Sequence, residues 1–288
     1  MGYILNLTDK DKSEIKYEIS KFPDGQQSVT ITTDYHSSHA YIQTRLTSFK
    51  DLEILICATQ SLREMGVETI ELFITYFLGA RSDRKFGYGG CNYLKTVICP
   101  IINSQNYIGV MVLDPHSDVL EACINNFKKF SGSIVATKAM EILGLKPREY
   151  AIISPDAGAL KKIYDIAQAI GYEDDIIVAS KHRDVKSGQI VSTHVPLTGQ
   201  HVNKDFVIFD DICDGGRTFI EIAKKIKEQE MTGKIYLVVT HGIFSSGLFE
   251  LSKWFDGIVC TNSFSNLDVE AHSDYTVPAT FVKQISII

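Results

Sequence analysis

The chain has 288 residues, of which 44% are hydrophobic and 22% are charged, so it can bury a full core and is neither disordered nor fibrous. At roughly 150 residues per domain, this length favours two domains or one large α/β unit. The formal net charge of −6 removes the usual electrostatic reason to expect nucleic acid as the main partner.

Cysteine spacing and the distribution of charge bear on where the protein works. The six cysteines are scattered without a CxxC pair, which predicts reduced thiols in a cytoplasmic protein rather than disulfides or a zinc site. The amino-terminal segment turns charged before an apolar stretch of signal-peptide length develops. The longest uncharged run, residues 96–113, is interrupted by Pro100 and several polar residues, so no membrane span is expected.

Apolar runs of strand length alternate with segments of helical period, which predicts parallel sheets covered by helices. The first half is predicted to contain strands at 28–34, 40–46, 69–75 and 107–113, helices at 50–65 and 91–102, and a polar, glycine-rich loop at 78–90. The second half is predicted to contain strands at 150–154, 175–179, 206–209, 234–240 and 257–260, and helices at 157–170 and 218–229. Lys146 and Pro147 break a helix between the halves, so the expected domains are residues 1–145 and 146–288.

The strongest local signal is FVIFDDICDGGRTF at residues 206–219, where an apolar strand runs into three aspartates and a glycine turn. In parallel α/β sheets, ligands bind beyond the carboxyl ends of the strands, and a glycine turn that opens a helix directs N–H groups at an anion. The pair Asp210 and Asp211 suits ribose hydroxyls or magnesium, and residues 214–218 suit a phosphate. Helix capping accounts for one of the three carboxylates and leaves two without a purpose.

This segment resembles the phosphoribosyl-diphosphate loop shared by type I phosphoribosyltransferases and ribose-phosphate diphosphokinases, also called PRPP synthetases. Other segments resemble diphosphokinase signatures in that family's order: KFPDGQQSVTI at 21–31, YFLGARSDRK at 76–85, LDPHSD at 113–118, SPDAG at 154–158, KHR at 181–183 and THGIFSSG at 240–247. The transferases share only the loop, so the remaining segments favour the ATP-using enzyme. The resemblance implies an α/β protein with two type I phosphoribosyltransferase-like domains, each a mainly parallel sheet flanked by helices.

The resemblance further implies a magnesium-dependent transfer of the β,γ-diphosphoryl group of ATP to the anomeric hydroxyl of a 5-phosphorylated ribose, with release of AMP. Such a reaction depends on positioning and charge neutralisation. The implied ribose-phosphate site is Asp210, Asp211, Asp214, Gly215, Gly216, Arg217 and Thr218. The implied ATP site is Phe22, Asp24, Gln26, Arg81, Ser82, Asp83 and His116, the metal ligands are His116, Asp156, Asp210 and Asp211, and the catalytic groups are Lys181, Arg183 and His116.

Two segments carry further expectations. Residues 181–188, KHRDVKSG, are rich in charge and poor in apolar anchors, which predicts a flap; in the family such a flap folds over the triphosphate. The family's FxDGE-like segment, matched by Phe22, Asp24 and Gln26, reaches the adenine of a neighbouring subunit. The protein is therefore expected to be a homo-oligomer with a shared active site, and dimer and hexamer stay open.

Departures from the family concern the acceptor. The family's phosphate loop reads Asp-Thr-small-Gly-Thr, whereas this chain has Gly215 in place of the first threonine and Arg217 in place of the glycine. A phosphodiester carries one charge and continues into another group, which Gly215 leaves room for, and Arg217 can pair with a second phosphate. The acceptor is therefore either ribose 5-phosphate or ADP-ribose, the latter as in a phage branch of the family that rebuilds NAD.

Smaller departures leave other questions open. Ser82 stands for the usual Gln and Gln26 for the usual Glu, so adenine recognition is expected to be looser or rearranged. The run after His116 lacks the family's regulatory pattern, which puts allosteric control in doubt. A phosphoribosyltransferase that consumes PRPP and a catalytically silent regulatory member are the alternatives. The first leaves the ATP segments without a purpose, and the second leaves the retained cations and carboxylates unexplained.

Overall fold

The computed structural model describes residues 3–183, 190–267, 277–278 and 280–287. Contacts divide the chain into two compact units, Met1–Ser131 with Ile287–Ile288, and Gly132–Ser286. The division precedes the helix Ser133–Leu143 instead of following it at residue 145, because this helix packs on strands and on a helix of the second unit.

The first unit is built around a parallel five-stranded sheet. Its elements are β1 (Ile4–Asn6), β2 (Tyr17–Lys21), β3 (Gln27–Ile31), β4 (His39–Thr44), α1 (Phe49–Glu64), β5 (Thr69–Ile74), α2 (Cys99–Asn103), β6 (Gly109–Leu113), α3 (Val119–Cys123) and β7 (Phe127–Phe130). The sheet order is β1-β4-β5-β6-β7, and β2 and β3 form an antiparallel hairpin. Because all five strands run in one direction, the loops that follow β4, β5 and β6 leave from the same edge of the sheet.

The local sequence explains the first helix of this unit. Ser48 and Asp51 form a capping box that satisfies N–H groups at the start of α1. Leu52, Leu55 and Leu62 recur at helical spacing and are buried with the apolar side chains of the sheet. The helix predicted at 50–65 is thus confirmed to within one residue at each end.

The helix predicted at 91–102 differs from the structure. It begins at Leu94 with a π-helical turn, Leu94–Ile98, and continues as α2. Pro100 accounts for the π-helical turn, because it has no N–H to donate and its ring excludes the carbonyl four residues before it.

The second unit is built around a parallel six-stranded sheet. Its elements are α4 (Ser133–Leu143), β8 (Tyr150–Ser154), α5 (Leu160–Ala169), β9 (Ile177–Val178), β10 (Ser180–Arg183), β11 (Ile190–His194), β12 (Asp205–Cys213), α6 (Arg217–Glu228), β13 (Ile235–Gly242), α7 (Phe249–Ser252), β14 (Gly257–Thr261) and β15 (Val282–Ile285). The sheet order is β15-β14-β13-β12-β8-β9, and β10 and β11 form an antiparallel hairpin. Parallel sheets flanked by helices in both units confirm the predicted fold class.

Strand β12 is longer than the predicted 206–209. It extends to Cys213 because β13 continues beside it, with Asp210 opposite Val239 and Cys213 opposite Gly242. Asp210 and Asp211 therefore lie within the last part of a strand, where the ladder fixes their backbone, and not in a loop after it.

Among the described residues, no helix combines the length and the apolar character that a membrane crossing requires.

Candidate active site

The carboxyl end of β12 carries an acidic pair, of which Asp211 is buried and Asp210 is half-buried. The Asp211 side chain is 5% exposed, and its Oδ2 lies 2.8 Å from Nζ of Lys162 on α5. The Asp211 N–H donates to Oδ1 of Asp210 at 2.9 Å. The pKa of Asp210 is raised well above its ordinary value, mainly by loss of solvent and secondly by the charge of Asp211. Two carboxylates held this close out of water favour a cation between or beside them.

The turn between β12 and α6 has the geometry of an anion site. Gly216 has φ of +75° and is the residue before α6, whose first N–H groups belong to Arg217 and Thr218. A Cβ on Gly216 would lie 2.8 Å from Cδ2 of Leu251, which is buried. Glycine therefore permits both the left-handed turn and the close packing that aim the helix amino terminus outward.

We expect the exchange Gly216→Ala to destabilise the protein. A left-handed alanine costs roughly 1–2 kcal/mol, and forcing a methyl group against Leu251 costs a further ~1–3 kcal/mol. Gly171→Ala is the matched control, since Gly171 has φ of +68° and nothing within 4 Å of the added Cβ. Urea unfolding should show the larger loss of free energy for Gly216→Ala; equal losses would contradict the packing role of Leu251.

The segment THGIFSSG, residues 240–247, packs beside the turn at residues 214–216. The N–H groups of Ile243 and Phe244 donate to the Cys213 carbonyl at 2.9 Å and 3.1 Å, which ties the end of β13 to the end of β12. The Ser245 hydroxyl donates to Oδ1 of Asp214. A Cβ on Gly215 would lie 3.1 Å from Oγ of Ser246, so the two serines line the space over Gly215.

Asp156 of SPDAG lies after β8, the strand next to β12. Its Oδ1 accepts the N–H groups of Gly158 and Ala159 at 3.0 Å and 3.1 Å, so the carboxylate shapes the turn that leads into α5. Because β8 and β12 are adjacent and parallel, Asp156 lies at the same edge of the sheet as Asp210 and Asp211. The structure thus brings together the predicted ribose-phosphate residues and Asp156 at one edge of the second sheet.

In the first unit, two predicted ATP segments leave neighbouring strands at one sheet edge. Arg81, Ser82 and Asp83 follow β5, and His116 follows β6, with the side chains of Arg81 and His116 exposed. Asp114 is buried and has φ of +39°, an uncommon conformation for a residue other than glycine. This turn directs the loop that carries His116 away from the core.

The FPDGQ segment forms the tip of the hairpin between β2 and β3. The Phe22 N–H donates to the Gln26 carbonyl at 2.9 Å, and Oδ1 of Asp24 accepts the Gln26 N–H at 3.2 Å. The Phe22 side chain is 51% exposed. The Gln27 N–H donates to Oε1 of Glu53, which ties the tip to the first half of α1. An exposed aromatic ring on an anchored hairpin is compatible with the predicted contact to a neighbouring subunit, which stays a prediction.

The predicted flap is described only in part. Residues 181–183 lie in β10, where Lys181 is opposite Thr193 and the register shifts between His182 and Arg183. The side chains of Lys181 and Arg183, and the whole of residues 184–189, lie outside the described part of the structure.

Sequence reasoning missed three residues at these sites. Lys162 was not singled out, although it follows SPDAG by one helical turn and faces Asp211. Ser245 contacts Asp214. Arg45 directly follows β4 at the edge that carries Arg81; burial lowers its pKa, and the charges of Asp51 and Asp9 act in the opposite direction. A charged residue just after a buried strand was the available signal for Arg45.

Within the described ranges, no three His, Cys, Asp or Glu side chains are grouped as a metal site. The predicted metal ligands lie in two units, His116 in the first and Asp156, Asp210 and Asp211 in the second. Their common role in holding a metal stays a prediction.

Comparison with known proteins places the chain in a family. Residues 125–275, just over half of the chain, match the phosphoribosyl transferase domain family. The chain is 28% identical over 260 residues to the ribose-phosphate pyrophosphokinase of Pyrococcus furiosus, with 88% of each chain covered. It is 27% identical over 222 residues to that of Mycoplasmopsis pulmonis, covering 75% of this chain and 65% of the relative, slightly less than two thirds of its length.

A solved structure is similar over nearly the whole chain. The phosphoribosylpyrophosphate synthetase of Mycobacterium smegmatis matches with a TM-score of 0.78 and 16% identity, covering 96% of this chain and 88% of that one. At this identity the likeness concerns the fold: two units of the type I phosphoribosyltransferase class. The chain belongs to the phosphoribosyl transferase domain family, and within it the predicted resemblance to the ribose-phosphate diphosphokinases, which are transferases, is confirmed.

Proposed function

We propose that this protein transfers the diphosphoryl group of ATP to the anomeric hydroxyl of a 5-phosphorylated ribose. The hydroxyl oxygen attacks the β-phosphorus, the bond from that phosphorus to the oxygen bridging to the α-phosphorus breaks, and AMP leaves with the bridging oxygen. The hydroxyl proton passes to solvent. The observation that carries the proposal is the pair formed by buried Asp211 and half-buried Asp210 beside the glycine turn at Gly216.

The ribose end of the acceptor lies at the carboxyl end of β12. Asp210 and Asp211 accept hydrogen bonds from the two ribose hydroxyls, and Lys162 holds Asp211 in place for this role. The 5-phosphate binds the N–H groups at the start of α6, where Thr218 adds a hydroxyl and the helix dipole favours an anion. Both ends of the sugar phosphate are thereby positioned by rigid secondary structure.

Magnesium fits the donor set of this site. Hard oxygen ligands are the ones it prefers, and the half-buried Asp210 carboxyl lies beside a second, buried carboxylate, a pair that a divalent cation stabilises. Asp210 and Asp211 would hold it on the ribose side, and His116 with Asp156 is the predicted set on the ATP side. When bound, magnesium neutralises phosphate charge during the transfer.

The ATP side rests on the first unit and on the flap. Arg81, Ser82 and Asp83 bind the nucleotide, together with Phe22, Asp24 and Gln26 of a neighbouring subunit in a homo-oligomer. Lys181 and Arg183 stabilise the negative charge on the transferred group. Localisation in the cytoplasm stays a prediction from the sequence.

For the acceptor, we propose ADP-ribose over ribose 5-phosphate. Gly215 leaves the outer side of the phosphate loop open, bounded by the hydroxyls of Ser245 and Ser246. Arg217, at the first position of α6, has an exposed side chain that can reach a second phosphate beyond the one bound by the loop. A phosphodiester with a second phosphate attached matches this arrangement better than a phosphomonoester does.

One assay tests both the proposed reaction and the proposed acceptor. Purified protein is incubated with magnesium and ATP, with ribose 5-phosphate or ADP-ribose offered in parallel, and AMP release and product mass are measured. AMP release with either acceptor supports diphosphoryl transfer, and a preference for ADP-ribose supports the extended acceptor. No AMP with either, together with base-dependent release of diphosphate from PRPP, would overturn the proposal in favour of a phosphoribosyltransferase. A reaction with excess chelator is the control for the metal.

A further inference from the structure

The loop after Asp83 carries two large aromatic side chains that are mostly exposed. Phe86 is 68% exposed and Tyr88 is fully exposed. Glycines occupy positions 87, 89 and 90 around them, and Gly89 has φ of +79°. Leaving such rings in water forgoes the stabilisation that burial of their apolar area would bring, so the pair is a candidate contact for a ligand.

Both ends of this loop are anchored beside Arg81. The Asn92 side-chain amide donates to the Asp83 carbonyl at 2.6 Å, and the Leu94 N–H donates to the Ser82 carbonyl at 3.1 Å. These two bonds close the base of the loop. The aromatic tip, Phe86 and Tyr88, therefore stays close to Arg81. It lies near the sheet edge that also carries the His116 loop.

Two cationic residues, Arg84 and Lys85, directly precede the first ring. The Arg84 guanidinium lies 5.6 Å from the centroid of Phe86, and Lys85 is exposed between them in the sequence. Cations for phosphates and aromatic faces for a base are the two requirements of nucleotide binding. A hydrophobic protein partner would be expected to meet fewer charges directly beside the rings.

We infer that Phe86 and Tyr88 bind the adenine base of ATP by stacking, and that they set the preference of this protein for a nucleotide over a bare triphosphate. This inference rests on the proposed use of ATP and adds two residues to its nucleotide site. Arg84 and Lys85 serve the phosphates, and the glycines around the rings let the tip adjust to the base.

The test compares binding of ATP with binding of inorganic tripolyphosphate, each with magnesium, by calorimetry. The two ligands share the phosphate charge, and only ATP has a base. The double exchange Phe86→Ala with Tyr88→Ala should weaken ATP binding about 10-fold or more, in line with stacking on aromatic side chains, and should leave tripolyphosphate binding within about twofold. Tyr88→Phe keeps a ring and should restore most of the ATP affinity.

Tyr3→Ala is the matched control, because Tyr3 is a 54% exposed aromatic residue just before β1, at the opposite end of the strands. Unchanged ATP binding in the double variant would overturn the inference, and so would equal loss of both ligands, which means a damaged loop. ATP binding needs no acceptor, so a failure of the stacking inference can be told apart from a failure of the proposed reaction. If the wild type binds ATP more tightly than the double variant does but releases no AMP with either acceptor, the proposed reaction is wrong and the stacking contact stands.

Discussion

Replacing Lys181 by alanine should lower kcat by about 100-fold to 1,000-fold with either acceptor, as the loss of a preorganised charge at a reacting group typically does. Negative charge builds up on the transferred diphosphoryl group and on the departing AMP, and little covalent chemistry is available to offset it. An ammonium group that meets this charge only during the transfer affects kcat more than the KM for ATP.

The backbone position of Lys181 keeps this variant interpretable. Lys181 lies in the hairpin strand β10 opposite Thr193, apart from the six-stranded sheet that forms the centre of the unit. Truncation of a side chain there should leave the unfolding midpoint close to that of the wild type. Steady-state AMP release together with urea unfolding measures both quantities on the same samples.

Lys204→Ala is the matched control for Lys181→Ala. Lys204 directly precedes β12, at the opposite end of the strand from Asp210 and Asp211. Its Nζ lies 2.6 Å from Oδ2 of Asp174, so its loss removes an ion pair without touching the proposed site. We expect its turnover to stay within twofold of the wild type. A Lys181→Ala rate within that same range would contradict the role assigned to the flap.

Hydrophobic patterning predicted strands best where burial of the whole segment is the only cause of the strand. The strand at 150–154 is confirmed to the residue, since Tyr150–Ser154 is buried throughout. β7 was missed because its sequence, FKKF, places two exposed lysines on an edge strand, which lacks the apolar run of a central one. The extension of β12 through Asp210 was missed because the ladder to β13, and not hydrophobicity, maintains the strand.

Sequence motifs located some residues of the candidate site and missed others. The aspartates after Phe209 and the glycine turn could be located because ligands of parallel α/β sheets bind beyond the carboxyl ends of the strands, where this apolar run ends. Lys162 could not be located, since its partner Asp211 is 49 positions away in the sequence and only the fold brings them together. The aromatic tip at Phe86 and Tyr88 was invisible for another reason: exposure, which makes it noteworthy, is a property of the folded chain.

Acceptor choice should depend on Arg217. The change Arg217→Gln should lower kcat/KM for ADP-ribose by about 10-fold to 100-fold, the usual cost of one hydrogen bond to a charged group. Ribose 5-phosphate has no second phosphate, so its kcat/KM should change less than threefold. Lys225→Gln, on the last turn of the same helix and paired with Glu228, is the control for removing a cation from α6.

Gly215→Thr probes the same choice from the opposite direction, by adding a hydroxyl where the loop is open. The backbone of Gly215 is not left-handed, and the added Cβ would lie 3.1 Å from Oγ of Ser246, a hydroxyl that can rotate away, and 3.9 Å from Oγ of Ser245. The threonine side chain adds a donor for a terminal phosphate and fills the exit that a phosphodiester needs. The ratio of kcat/KM for ADP-ribose to that for ribose 5-phosphate should therefore fall with either Arg217→Gln or Gly215→Thr. If both variants keep the wild-type ratio, the loop does not select the acceptor, and the glycine and arginine are tolerated variation.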